Sequence, residues 1–211
     1  MLSFLRGAYG RALTPLAVLL LRLGVSPSAV TVIGTVGVTA AALWFFPRGQ
    51  LAAGVAVIAV FLLADGLDGT MARRGGRVTR FGAFLDSTLD RVADGAVFAG
   101  LALWAAGRDT VALWMALACL VGGFVVSYAR ARAESEGWNA SVGLFERSDR
   151  LAVAGLAALV VGLGGPTWVM AGGLGLVAVG SAVTVGQRVR AAWLASSGPA
   201  DAERDPSLRQ G

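Results

Sequence analysis

The chain has 211 residues, 56% of them hydrophobic and only 15% charged, which is too apolar for an ordinary soluble domain and points to a membrane protein. All 18 basic residues are Arg, there is no His, and Cys119 is the single cysteine. Histidine acid–base chemistry, histidine metal ligation, an internal disulfide and a cysteine metal cluster are therefore excluded, and any chemistry must use Asp, Glu, Arg, Ser, Thr or Tyr. The first stretch, MLSFLRGAYGRALTPLAVLLLRLG, has the look of a signal peptide. Its Arg residues recur and no small-residue cleavage site follows, so it reads as an amphipathic surface helix over about 2–23.

A bilayer core of about 30 Å takes about 20 apolar residues per helix. The expected fold is all-α integral membrane, with six transmembrane helices at about 28–46, 51–71, 83–106, 110–130, 148–165 and 167–190. Ser26-Pro27 opens the first span as a cap followed by proline at the first helical position. Gly162, Gly164, Gly165 and Pro166 end the fifth span early. The spans are rich in Gly, Ala, Ser and Thr, which permits close helix packing in lipid. A polar tail over 196–211 contains two prolines and is expected to be disordered, leaving one membrane domain over 1–195.

Arginine placement sets the orientation. Arg6, Arg11 and Arg22, then Arg73, Arg74, Arg77 and Arg80, then Arg130, Arg132, Arg147 and Arg150, then Arg188, Arg190, Arg204 and Arg209 fall on one side. Only Arg48 and Arg108 fall on the other. By the positive-inside bias, both termini are cytoplasmic in a multi-pass cell-membrane protein. The net charge of +5 is thus an orientation signal, and no nucleic-acid partner is expected.

The stretch DGLDGTMARRGGRVTRFGAFLDSTLD carries Asp65, Asp68, Asp86 and Asp90 at the cytoplasmic ends of spans two and three. Spacings of three and four put each pair on one helix face, and the short loop brings the two helix ends together. Carboxylates at a membrane edge repel one another and cost insertion energy, so a positive partner is required. Oxygen-only ligands suit hard ions such as Mg2+, with Mn2+ as the alternative, and two ions would suit a diphosphate. The competing reading is helix capping and pairing with the nearby arginines. Gly69 and Gly82 allow close approach of a ligand, and Arg73 can fork onto phosphate oxygens. Thr79 by itself reads as a solvated loop residue.

Asp65-x2-Asp68-Gly69-x2-Ala72-Arg73-x8-Gly82-x3-Asp86-x3-Asp90 resembles the signature of the CDP-alcohol phosphatidyltransferases at every fixed position. GVSPSAVT, FGAFLDSTLDRVADG and SYARARAE further resemble the phosphatidylinositol phosphate synthase branch. The resemblance implies that Asp65, Asp68 and Asp86 hold two metal ions, with Asp65 and Asp86 bridging them. It implies that Asp90 is the general base and an additional metal ligand. Gly69, Arg73 and Thr79 match positions that contact the CDP-lipid, as do Ser28, Ala29, Val30 and Thr31. A helix N-terminus offers free N–H groups to an anion at those last four, though plain capping explains them as well. The implied substrates are CDP-diacylglycerol and inositol phosphate, in contact with membrane lipids, and the implied assembly is a homodimer.

For the acceptor phosphate the candidates are Arg130, Arg132, Arg147, Arg150, Arg188 and Arg190, against a reading in which they serve topology and lipid headgroups. The resemblance favours Arg147 and Arg188, followed by Arg130 and Arg132. The run Phe145-Glu146-Arg147-Ser148-Asp149-Arg150 has Asp149 where the family uses Glu. Asp94 is expected to pair with an arginine or to accept hydrogen bonds at a pocket floor. Rival functions are the same transfer to glycerol 3-phosphate, an intramembrane prenyltransferase, and a cation transporter. The last would need polar residues along several spans, and here they collect on one side.

Overall fold

The computed structural model describes residues 14–74 and 79–196, without the side chains at 63–66, 68, 69 and 72–74. The described residues are helical apart from short connections. Residues 14–22 form α1. They are followed by α2 (Pro27–Phe45), α3 (Leu51–Arg74), α4 (Arg80–Ala105), α5 (Thr110–Ser135), α6 (Arg147–Gly162) and α7 (Trp168–Ser196). The first residues of the expected surface helix, 2–13, and the tail beyond Ser196 lie outside the described residues.

The start of α2 is as the sequence implies: Ser26 Oγ accepts from the Ala29 N–H at 3.2 Å, with Pro27 at the first helical position. Three helices outrun their expected ends, α3 by three residues, α5 by five and α7 by six. A hydropathy window stops where the bilayer stops, whereas a helix continues if its surface charges pair. On α5 they do, through Arg130–Glu134 and Arg132–Glu136 at i, i+4 spacing. Such exposed pairs contribute about 0.3–0.5 kcal/mol each. In contrast α6 stops at Gly162, because Gly164 turns the chain at φ +96° and Pro166 follows.

The principal helix pairs are α2–α3, α2–α4, α4–α5, α5–α7, α7–α6 and α6–α3, which together close a ring of six. Its interior holds Phe46, Leu51, Phe98, Leu101, Met170, Leu174 and Val177, all buried. Three helices, Pro27–Phe45, Thr110–Ser135 and Trp168–Ser196, are long and apolar enough to cross a membrane. Their outer faces expose Val36, Trp44, Trp114, Val121, Leu176 and Val179, side chains that hydrocarbon rather than water would cover.

Small residues set the helix spacing. At Gly100 of α4 an added Cβ would lie 2.6 Å from the Ala42 carbonyl oxygen of α2. Backbone contacts a carbonyl here, so no flexible side chain can yield. Gly100→Val should therefore lower the melting temperature in detergent by about 5 °C or more, as overpacking costs of about 1–3 kcal/mol imply. Gly186→Ala, where nothing lies within 4 Å, should leave it unchanged or slightly raised in the same thermal-unfolding measurement, because alanine is the better helix former.

Candidate active site

Asp65, Asp68, Gly69 and Arg73 lie in the last turns of α3, where the backbone is helical through to Arg74 and their side chains lie outside the described residues. Between them Leu67 and Met71 are buried against Ala17 of α1 and Val30 of α2. This small cluster sets the first turn of α2 beside the end of α3. Within that turn the Ala29 N–H is taken by Ser26, and the Thr31 hydroxyl donates to the Pro27 carbonyl at 3.1 Å. Ser28 is half-buried and Val30 is core.

Five residues connect α3 to α4, so the two helix ends stay within about 20 Å of each other by chain length alone. Thr79 is the N-cap of α4, its Oγ1 accepting from the Gly82 N–H at 3.0 Å. The lone-residue reading of Thr79 as a loop hydroxyl missed this cap. Beyond it Asp86, Asp90 and Asp94 succeed one another at intervals of one turn on one face. Asp86 is exposed, Asp90 half-buried, and Asp94 only 6% exposed, so the carboxylates descend from the helix end into the ring.

Two arginines of α6 meet that row. Arg147 Nη1 donates to Asp90 Oδ1 at 2.8 Å, and Arg147 Nε donates to Asp94 Oδ1 at 2.9 Å. Arg150 Nη2 lies 3.5 Å from Asp94 Oδ2, and Arg91 Nη2 lies 3.2 Å from Asp90 Oδ2. Arg150 is 1% exposed. The start of α6 is fixed by Asp149, whose carboxylate accepts from the Glu146 N–H at 2.9 Å and closes a capping box.

The loop before α6 is pinned from α7. Leu144 N–H donates to Gln187 Oε1 at 2.9 Å, and Phe145 N–H donates to Thr184 Oγ1 at 3.0 Å. Arg188 donates through Nε to the Val142 carbonyl at 2.9 Å and through Nη1 to the Val126 carbonyl of α5 at 2.6 Å. Four elements thereby determine where Arg147 stands. Of the arginines expected at an acceptor site, Arg147 touches the aspartates, while Arg188 is buried and ties α7 to α5 and the loop. Arg130 and Arg132 sit on the surface of α5 in their local ion pairs. Arg150, one of the cations expected at an acceptor site, is instead buried against Asp94, and Thr184 and Gln187 were not singled out from sequence.

Arg147 and Ser148 also stand at one end of a cavity of about 560 Å3 between α3 and α6. The rest of its lining is apolar, including Ile58, Leu62, Leu101, Leu151 and Leu159, with Gly155 open to it. Among the described residues no three acidic side chains converge closely enough to hold a metal ion, and two of the four signature aspartates have side chains outside that set. The donors that are described fit a hard divalent cation: Asp86 and Asp90 supply only carboxylate oxygens, one turn apart on one face.

Residues 24–187 match the model of the CDP-alcohol phosphatidyltransferase family. A phosphatidylinositol phosphate synthase from Streptomyces avermitilis is 50% identical over 195 residues, covering 89% of this chain and 80% of that one. A crystal structure of the Mycobacterium tuberculosis phosphatidylinositol phosphate synthase with CDP-DAG bound superposes with a TM-score of 0.85 at 43% identity, covering 89% of this chain and 96% of the other. Another structure of the same synthase, in complex with manganese and citrate, gives 0.84 at 43% identity over 88% and 90% of the two chains. With that match, the aspartate row and the all-helical membrane ring, the chain belongs to the CDP-alcohol phosphatidyltransferase family.

Proposed function

We propose that this enzyme transfers the phosphatidyl group of CDP-diacylglycerol to a hydroxyl of inositol phosphate, releasing CMP. The observation that carries the reading is the 2.8 Å contact between Arg147 and Asp90. It sets a phosphate-binding cation directly against a candidate base, which suits an acceptor bearing both a phosphate and a reactive hydroxyl. The similarity to phosphatidylinositol phosphate synthases supports inositol phosphate over glycerol 3-phosphate.

Six spans with α1 as the N-terminal surface helix form one membrane domain over 1–195, with both termini and the active site on the cytoplasmic side. The polar tail over 196–211 follows it. A homodimer is the expected assembly. Asp65, Asp68, Asp86 and Asp90 would hold two Mg2+ ions, or Mn2+, which when bound supply positive charge to the substrate diphosphate. Support for a divalent ion comes from the manganese complex of the relative. Gly69, Arg73 and Thr79, with Ser28, Ala29, Val30 and Thr31 at the start of α2, receive the CDP end of the lipid. The apolar cavity between α3 and α6, opening beside Arg147 and Ser148, takes an acyl chain.

In the transfer, the acceptor hydroxyl oxygen forms the new bond to the phosphatidyl phosphorus, and the bond from that phosphorus to the CMP oxygen breaks. Asp90 takes the hydroxyl proton. Arg147 orients the acceptor phosphate, with Arg188, Arg130 and Arg132 contributing cationic field on the same side. Arg73 stabilises charge that builds on the diphosphate.

CMP release measured with each acceptor separately decides the substrate: turnover with inositol phosphate and little with glycerol 3-phosphate is expected, and the reverse would overturn the assignment. Asp90→Asn should stay folded yet lose turnover by about 100-fold or more, since general-base catalysis contributes about 10^2–10^4. Near-normal turnover would remove Asp90 from the role of base. Chelation of divalent ions with EDTA should abolish CMP release, and added Mg2+ or Mn2+ should restore it.

A further inference from the structure

Asp94 lies outside the aspartate signature, one turn past Asp90, and has no part in the transfer as set out above. Yet it is buried, and its two oxygens face different guanidinium groups. Oδ1 accepts from Arg147 Nε at 2.9 Å, and Oδ2 lies 3.5 Å from Arg150 Nη2. Arg150 has almost no exposure, so it cannot itself meet an acceptor arriving from the cytoplasm. Its guanidinium also reaches the Phe145 carbonyl at 3.5 Å, at the end of the loop pinned to α7. Arg150 is thus a strut behind Asp94, and Asp94 is the anchor for Arg147.

The geometry of Arg147 gives that anchor a purpose. One guanidinium is strung between two carboxylates a turn apart on α4, through Nε on Asp94 and Nη1 on Asp90. An arginine side chain is long and flexible, and a free one loses much freedom on gripping a phosphate. Fixing Nε orients the planar fork beforehand. Among the described residues Arg91, Arg147 and Arg150 crowd together near Asp90 and Asp94.

We propose that Asp94 is a positioning residue for the acceptor: it holds Arg147 by Nε so that the Nη edge is presented to the acceptor phosphate beside Asp90. This rests on the reading of the enzyme as a transferase to a phosphorylated alcohol. Once the phosphate is bound, Arg147 keeps its grip on Asp94 and shares its Nη edge between the phosphate and Asp90. Asp94 touches neither substrate.

The test is steady-state kinetics of the full-length enzyme, with inositol phosphate and CDP-diacylglycerol varied in turn. Asp94→Asn is expected to raise the acceptor KM by about tenfold, equivalent to about 1.4 kcal/mol of binding. The CDP-lipid KM should stay unchanged, and kcat should fall by less than about threefold. A merely structural Asp94 would lower the melting temperature and the active fraction, and so kcat with both substrates, while leaving the acceptor KM at the wild-type value; that result overturns the proposal. Because Asp94→Asn leaves Arg150 buried beside an uncharged partner, the double variant Asp94→Asn, Arg150→Met removes both charges at once. It should fold and show the same rise in acceptor KM, and a wild-type acceptor KM in it would equally overturn the role. If the wild-type enzyme turns over glycerol 3-phosphate instead, the functional reading fails, and the acceptor KM of the variants measured with that substrate still decides the role of Asp94.

Discussion

The arrangement depends on one constraint: carboxylates that lie inside a ring of apolar helices must be met by cations from another helix. Asp94 is 6% exposed and Arg150 1%. Removing either charge from water is costly, and an isolated one would not persist. The α4 carboxylates are therefore answered by α6, although α4 and α6 are not neighbours in the ring. Arg147 and Arg150 reach across it. This ties the position of the site to the position of α6, and α6 in turn to everything that holds its first turn: the Asp149 capping box, Gln187, Thr184 and Arg188.

A gradient along α4 follows. Its inner half, with Val97, Phe98, Leu101 and Trp104, is core. Its outer half steps from Asp94 through Asp90 to Asp86, from buried to exposed. Burial thus separates three identical side chains by environment. The innermost is locked by two arginines. The middle one is held on both oxygens, by Arg91 and Arg147, yet remains within reach of the site. The outermost lies where a cation from solution can arrive.

Much of this was legible in the sequence, and the omissions have physical causes. Helix positions follow from hydropathy, and the aspartate spacing announces a row of carboxylates on one face of α4 whatever the fold. What hydropathy cannot register is a helix that persists past its apolar window, as α7 does through continued backbone hydrogen bonding and α5 with charge pairs added. Thr79 was opaque because its cap is made with Gly82, a residue read for its space rather than its N–H. Arg130 and Arg132 bore the right charge on the right side, but i, i+4 glutamates give them partners on their own helix. Arg188 was favoured by resemblance, and the fold adds a structural task, closing carbonyls of a loop and of α5. Side-chain partners between helices distant in sequence, such as Asp94 with Arg150, leave no local pattern to read.

The ion network also bears on why arginine serves at position 147. Its guanidinium gives one N–H to Asp94 and another to Asp90, from different nitrogens held in a fixed plane. A lysine ammonium is a compact charge at the end of a four-carbon stem, without a rigid fork to span two carboxylates one turn apart. It could pair with Asp90 or with Asp94 at good geometry, but the partner left over would be a buried, under-satisfied carboxylate. Planarity matters as much as charge, because a fork fixed at Nε has its remaining edge aimed in one direction only. The same property that makes the network tolerable inside an apolar ring gives its outward edge a fixed direction in which to donate.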